Sequence, residues 1–153
     1  MSKLKPTTGP VFIFASGQRC GSTLLQRYLC SNPNMIIWGE HDGVLNHIFD
    51  QFDRLLEWNN MFNHQFDTFI KEGYNNFIPN MNPPVASIVA AQTEFVRNMW
   101  QSPAKELGRQ IWGFKEVLYE VDIALRLKTL FPNAKFIHMT RNIIDCFISL
   151  RHE

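Results

Sequence analysis

Apolar runs of strand length recur along this chain, each followed by a polar loop and then by a stretch of helical spacing. The first, Val11-Phe12-Ile13-Phe14-Ala15, is apolar without alternation, the pattern of a strand covered on both faces in a parallel sheet. Past the polar residues 16–21, Leu24, Leu25, Tyr28 and Leu29 share one helical face, and Pro33 closes that helix because it disfavours helical geometry at its predecessor. Residues 35–38 form a second apolar run, ending in the polar elbow Gly39-Glu40-His41-Asp42-Gly43. Residues 44–71 carry Leu45, Ile48, Phe49, Phe52, Leu55 and Leu56 at helical spacing and predict two helices with a break around Asn59-Asn60. Residues 74–84, rich in Asn and Pro, predict a loop, and residues 85–100 a further helix. Strands are expected at 111–115 and 135–140, and helices at 121–130, ended by Pro132, and 142–151. Strands alternating with helices give an α/β fold: a mainly parallel central sheet, flanking helices and a helical insertion after the second strand.

Composition narrows the picture. At 153 residues, 45% of them hydrophobic and including 13 Phe and 4 Trp, the chain has the length of one domain and enough apolar surface for one core. We therefore expect a single domain over residues 1–153. A net charge of +1 removes the field of a general nucleic-acid or anionic-membrane binder, so any bound anion must be met by a local site. Cys20, Cys30 and Cys146 are odd in number and widely spaced, giving neither a metal pair nor a disulfide framework. The polar, Pro-broken start and the shortness of the apolar runs speak against a signal h-region or a membrane span. A reducing, cytoplasmic location is expected.

The strongest local chemistry lies in the strand, Ser16-Gly17-Gln18-Arg19-Cys20-Gly21-Ser22-Thr23, then helix. Backbone N–H groups of such a loop converge with the free N–H groups and the positive end of the helix dipole, which makes a cradle for a phosphate-like anion. Gly17 and Gly21 let the chain approach, Arg19 adds a cation, and the Ser22 and Thr23 hydroxyls donate. Cys20 is a small loop residue whose thiol Arg19 and the helix terminus could activate. Against GxxxxGK[ST], the first Gly is missing and Ser22 stands where the Lys belongs, and no strand ends in a metal-supporting Asp. The loop suits a phosphate-like group without a metal; an ordinary strand-to-helix turn is the competing reading. Arg141 sits at the end of the fourth strand and Ser149 about two helical turns on, so both can face one anion. Lys115 ends an apolar strand and must either snorkel to water or meet an anion. Glu40 and His41 follow the second strand at the carboxyl edge where ligands of open α/β sheets gather, and His41 has the better unperturbed pKa for a base, near ~6.5.

Taken in order, the loop at 17–25, Trp38-Gly39-Glu40, Trp112-Gly113-Phe114-Lys115-Glu116, and Arg141 with Ser149 resemble the sulfotransferase family that uses 3′-phosphoadenosine 5′-phosphosulfate (PAPS). The Arg-bearing loop is similar to the bacterial and tyrosylprotein branch. The resemblance implies a P-loop-like sulfotransferase fold, with Arg19, Cys20, Gly21, Ser22 and Thr23 around the 5′-phosphosulfate and Arg141 with Ser149 around the 3′-phosphate. It implies Glu40 as general base, with His41 as the rival, and Lys115 and Arg19 facing the transferring sulfuryl group. The expected reaction moves that group to a hydroxyl or amine of a small-molecule, carbohydrate or peptide acceptor and releases 3′-phosphoadenosine 5′-phosphate (PAP), with no metal. Relatives continue through a further C-terminal segment, so the domain is expected to be incomplete at its C-terminus, and the open sheet edge to favour a homo-oligomer. A P-loop kinase-like phosphotransferase and an inactive nucleotide-binding relative are the alternatives.

Overall fold

In a computed structural model that describes residues 9–151, the four apolar runs become β1 (Val11–Ala15), β2 (Met35–Trp38), β3 (Ile111–Glu116) and β4 (Lys135–Met139). They form one sheet in the order β2-β3-β1-β4, every pair parallel. Contacts divide the chain into two units: residues 9–44 together with 96–151, which carry the sheet, and Leu45–Phe95.

In the sheet unit, register and alternation set the core. Trp38 pairs with Phe114, Phe114 with Phe12, and Phe12 with Phe136, so one aromatic row crosses all four strands on one face. Ring centroids of Phe12 lie 4.6 Å from Phe114 and 5.5 Å from Phe136, within the range in which aromatic pairs add to burial. Phe131 closes the cluster from just beyond α5 (Val121–Leu130), 6.2 Å from Phe12. Gly113, in mid-strand, is required by close approach: a Cβ there would overlap the Val11 carbonyl of the neighbouring strand.

Edge strand β2 is protected by α1 (Ser22–Cys30). Gln26 Nε2 donates to the Ile37 carbonyl at 2.8 Å, and the Ile37 N–H donates to Cys30 Sγ at 3.3 Å, so the outward backbone groups of Ile37 are satisfied by side chains. That attachment sets the helix's rotation and corrects the expected apolar face. Leu25 and Leu29 are half-buried and Ser22 is buried, whereas Leu24 and Tyr28 point to solvent.

The second unit corrects the expected break. Residues 44–72 form one continuous helix, α2 (Val44–Glu72). That span contains no Gly or Pro, and Asn59 does not compete for its own backbone because its amide donates to the Pro83 carbonyl at 2.5 Å. Gly73, at φ 80°, ends the helix in the left-handed conformation. The loop that follows is held by Gln65, whose side-chain oxygen accepts from the Asn80 N–H at 2.9 Å, and leads to α3 (Val85–Val96).

Beyond α3 the helical path runs further than expected, through a π turn (Arg97–Gln101) into the short α4 (Ser102–Glu106). Pro103 has no N–H to bond back to Met99 and its ring crowds that carbonyl, so the ladder widens there. Within the turn, the Trp100 carbonyl accepts from Trp38 Nε1 at 2.9 Å. The chain then returns through β3, α5 and β4 to α6 (Ile143–Leu150), capped by Asn142, whose side chain accepts from the Ile144 N–H. No helix among the described residues is long and apolar enough to cross a membrane.

Replacing Gly113 by Ala should force β1 and β3 apart and destabilise the fold by about 3 kcal/mol or more, the upper end of overpacking costs. Chemical denaturation of the variant beside the parent measures it.

Candidate functional site

A parallel sheet brings the carboxyl ends of all its strands to one edge, and the loops there hold most of the chemistry singled out in the sequence. A cleft of about 370 Å³ opens at that edge, lined by Gln18, Arg19, Gly21, Ser22 and Thr23 after β1, Glu40 after β2, Val117 after β3, and Arg141 and Ser149 after β4. The volume lies in the range of small-molecule sites, roughly 300–1,000 Å³.

The β1–α1 loop is bent by two left-handed residues. Gly21 (φ 88°) is the cap of α1, and Arg19 (φ 63°) takes a conformation uncommon outside glycine. Arg19 is fastened across the cleft, its Nε donating to Ser149 Oγ at 3.1 Å and its Nη2 to the Ser149 carbonyl at 3.4 Å. Arg141 returns the link, donating from Nη1 to the Arg19 carbonyl at 3.1 Å. The two anion-binding candidates read from distant parts of the sequence therefore form one laced structure with two exposed guanidinium groups. Cys20 is the exception. Its thiol turns down into a small core cluster with Ala15 and Cys146 and lines no part of the cleft, because Ser16 Oγ, 3.5 Å away, and the Cys146 thiol engage it there.

Lys115 and Glu116 end β3 side by side, so alternation sends them to opposite faces of the sheet. Lys115 meets α1 and the elbow: Nζ donates to Thr23 Oγ1 at 3.3 Å and makes a close ion pair with Glu40 Oε1. The lysine side chain is only 7% exposed, whereas that of Glu40 is 43% exposed, so the carboxylate stands within reach of a molecule arriving from solvent.

Glu116 goes to the aromatic face and is buried. Its Oε2 accepts from the backbone N–H of His41 (3.1 Å) and of Gly43 (3.2 Å), and its Oε1 from that of Val117 (2.8 Å). The elbow wraps the carboxylate with Asp42 (φ 57°) and Gly43 (φ 62°) both left-handed, as backbone wraps a bound anion. Burial alone would raise its pKa; the three N–H donors outweigh that and hold the carboxyl below its ordinary value of 4.5. Sequence reasoning gave Glu116 no role. The available signal was a Glu directly after a Lys at a strand end, where one of the two must face the interior.

His41 does not line the cleft. Its ring packs among Trp100, Phe114 and Tyr119, with centroids 4.8, 4.8 and 5.3 Å away. Nδ1 lies 3.4 Å from the Gly39 carbonyl and Nε2 2.5 Å from the Tyr119 hydroxyl, which assigns the proton to Nδ1 and makes Nε2 the acceptor. Burial depresses its pKa below 6.5 despite the Gly39 carbonyl and the nearby carboxylates, so near neutrality the 3.7 Å approach to Glu116 is not an ion pair. Of the two candidate bases, Glu40 faces the cleft and His41 faces the core.

These shifts make stability pH-dependent. His41 binds a proton more readily unfolded than folded, so stability should begin to fall as pH drops below about 6.5. The contribution of Glu116 is fully present above 4.5 and is lost as pH falls through its depressed folded value. Thermal unfolding from about pH 8 to about pH 2 should show both limbs, and His41→Phe should remove the upper one and leave the lower.

No curated protein matches the chain significantly. The sequence model described as Sulfotransferase family matches residues 10–152, a span that includes every element of the sheet and each residue of the cleft. An all-parallel α/β sheet with a glycine-bearing loop after β1 is consistent with that match, and the chain belongs to the sulfotransferase family.

Proposed function

We propose that the chain moves a sulfuryl group from PAPS to a hydroxyl or amine acceptor and releases PAP. The observation that carries this reading is the convergence on one cleft of Arg19, Arg141 and Ser149 with the open amino end of α1, beside a Lys115–Glu40 pair. A donor with anionic groups at both ends of its ribose needs anion-binding groups from more than one loop, and here they come from the loops after β1 and β4. The residues present fit such a donor: Gly21, Ser22 and Thr23 offer helix-terminal N–H groups and hydroxyls for the 5′ side, and Arg141 with Ser149 for the 3′-phosphate.

When bound, PAPS supplies an activated sulfuryl group. The chain's own residues do the rest. Glu40, exposed at the mouth of the cleft, takes the proton from the acceptor hydroxyl or amine. Lys115, buried and fixed by Thr23, places a positive charge beside Glu40 for the charge that develops on the sulfuryl oxygens. Arg19 would hold the donor's anionic oxygens and, through Ser149, couples the β1–α1 loop to α6.

Calorimetric titration with PAP, beside ADP and ATP with and without Mg²⁺, tests the donor. PAP should bind better than ADP and without metal; preference for Mg²⁺-ATP would replace this reading with a phosphotransferase. Arg19→Ala and Arg141→Ala should each weaken PAP binding by about 1.5–3 kcal/mol, the value of a charge-assisted bond. Parental affinity in either variant would remove that residue from the anion site. Turnover, followed as PAP released from PAPS with 4-nitrophenol, a tyrosyl peptide or glucosamine as acceptor, should fall roughly 10²- to 10⁴-fold in Glu40→Gln with PAP affinity kept.

A further inference from the structure

Glu116 is 1% exposed and makes no contact with the cleft, yet both backbone N–H groups it takes from the β2–α2 elbow belong to residues just after Glu40. Its third bond, to the Val117 N–H, ties the same carboxylate to the end of β3. Lys115, the partner of Glu40, is the neighbouring residue on that strand. One carboxylate thus fixes the strand end that presents the lysine and the elbow that presents the glutamate. The geometry points to Glu116 as the positioning residue for Glu40: it acts through the backbone of His41 and Gly43 to hold the Glu40 carboxylate on Lys115 Nζ at the cleft. This rests on the reading of Glu40 as the base.

The chemistry of the three bonds explains why a carboxylate is needed. All three partners are N–H donors approaching two oxygens. An amide has one acceptor oxygen, so Gln would set its NH₂ against either the Val117 N–H or the two elbow N–H groups. Asp keeps both oxygens but is one methylene short of spanning strand and elbow together. His41 and Tyr119 complete the support from the aromatic side, since the Tyr119 hydroxyl holds the imidazole of the residue whose backbone N–H is bonded to Glu116. A strand-end carboxylate that only filled space or balanced charge would not need to bond two alternate residues of a separate loop.

The test uses the full chain and the variants Glu116→Gln, Glu40→Gln and the double variant. If Glu116 works through Glu40, Glu116→Gln should lose turnover by roughly 10²-fold, as misplacement of a reacting group by about 1 Å does, while PAP affinity stays within about twofold of the parent. The double variant should be no slower than Glu40→Gln alone, because the two substitutions disable the same group. Acetic anhydride labelling read by mass spectrometry supplies a signal independent of turnover: Lys115 should be acetylated faster in Glu116→Gln, by the same factor as in Glu40→Gln, because the ion pair has opened in both. Parental turnover and parental labelling of Lys115 in Glu116→Gln would overturn the proposal while leaving Glu40 as base. So would equal losses of PAP affinity and turnover, the mark of a general structural role. Parental turnover in Glu40→Gln would instead overturn the base reading and this proposal with it. Should Glu116→Gln not fold, amide hydrogen exchange of the parent still decides: slow exchange at His41 and Gly43 supports the clamp, and rates typical of open loop amides refute it.

Discussion

Two adjacent buried charges at the end of β3 impose the constraint around which the sheet unit is arranged. Lys115 is 6% exposed and Glu116 1%, and each would carry a prohibitive desolvation cost without partners. Because they are neighbours on a strand they cannot satisfy each other; alternation sends one to each face. The lysine therefore recruits Glu40 and Thr23, and the glutamate recruits the backbone of the elbow and of Val117. The same two residues that must be compensated for the fold to form bring three separate segments, 21–23, 39–43 and 115–117, to one place. Removing one partner of such a pair is costly because the other charge stays buried.

The parallel topology supplies the remainder. With β1 second from one edge and all strands pointing the same way, residues as far apart in sequence as Arg19, Glu40, Arg141 and Ser149 reach the same rim with no long loop. Hydrogen bonds from Arg19 to Ser149 and from Arg141 to the Arg19 carbonyl then connect the loops after β1 and β4 laterally. The rim is built on strand ends with the aromatic row beneath them. Its reach toward solvent is left to two guanidinium groups and one half-exposed carboxylate.

Much of this was legible in the chain. Continuous apolar runs gave β1 and β2 to the residue, and residue type and position were enough to single out the glycine-bearing loop, the Glu40 elbow, Lys115 and Arg141 as candidates, all of which lie at the carboxyl ends of the strands. What could not be read were the features decided by contact between distant segments. The break expected at Asn59 is absent because Pro83, 24 residues on, takes its side chain. The rotation of α1 is set by the bonds its Gln26 and Cys30 make to the backbone of Ile37 rather than by its own apolar stripe. Cys20 and His41 sit in the right segments but turn into the core, since one thiol finds another beneath the loop and one imidazole finds three aromatic rings. β3 runs one residue beyond the expected strand, and that residue is Glu116.

The indole of Trp100 lies against the His41 ring at a tilt of 56°, while the Trp100 carbonyl receives the indole N–H of Trp38, the residue that leads into the elbow. The segment that presents Glu40 is thus bracketed by two natural fluorophores, one reporting on the imidazole and the other on the main chain. The protein carries, without a dye or a label, an optical reporter beside the loop that presents Glu40.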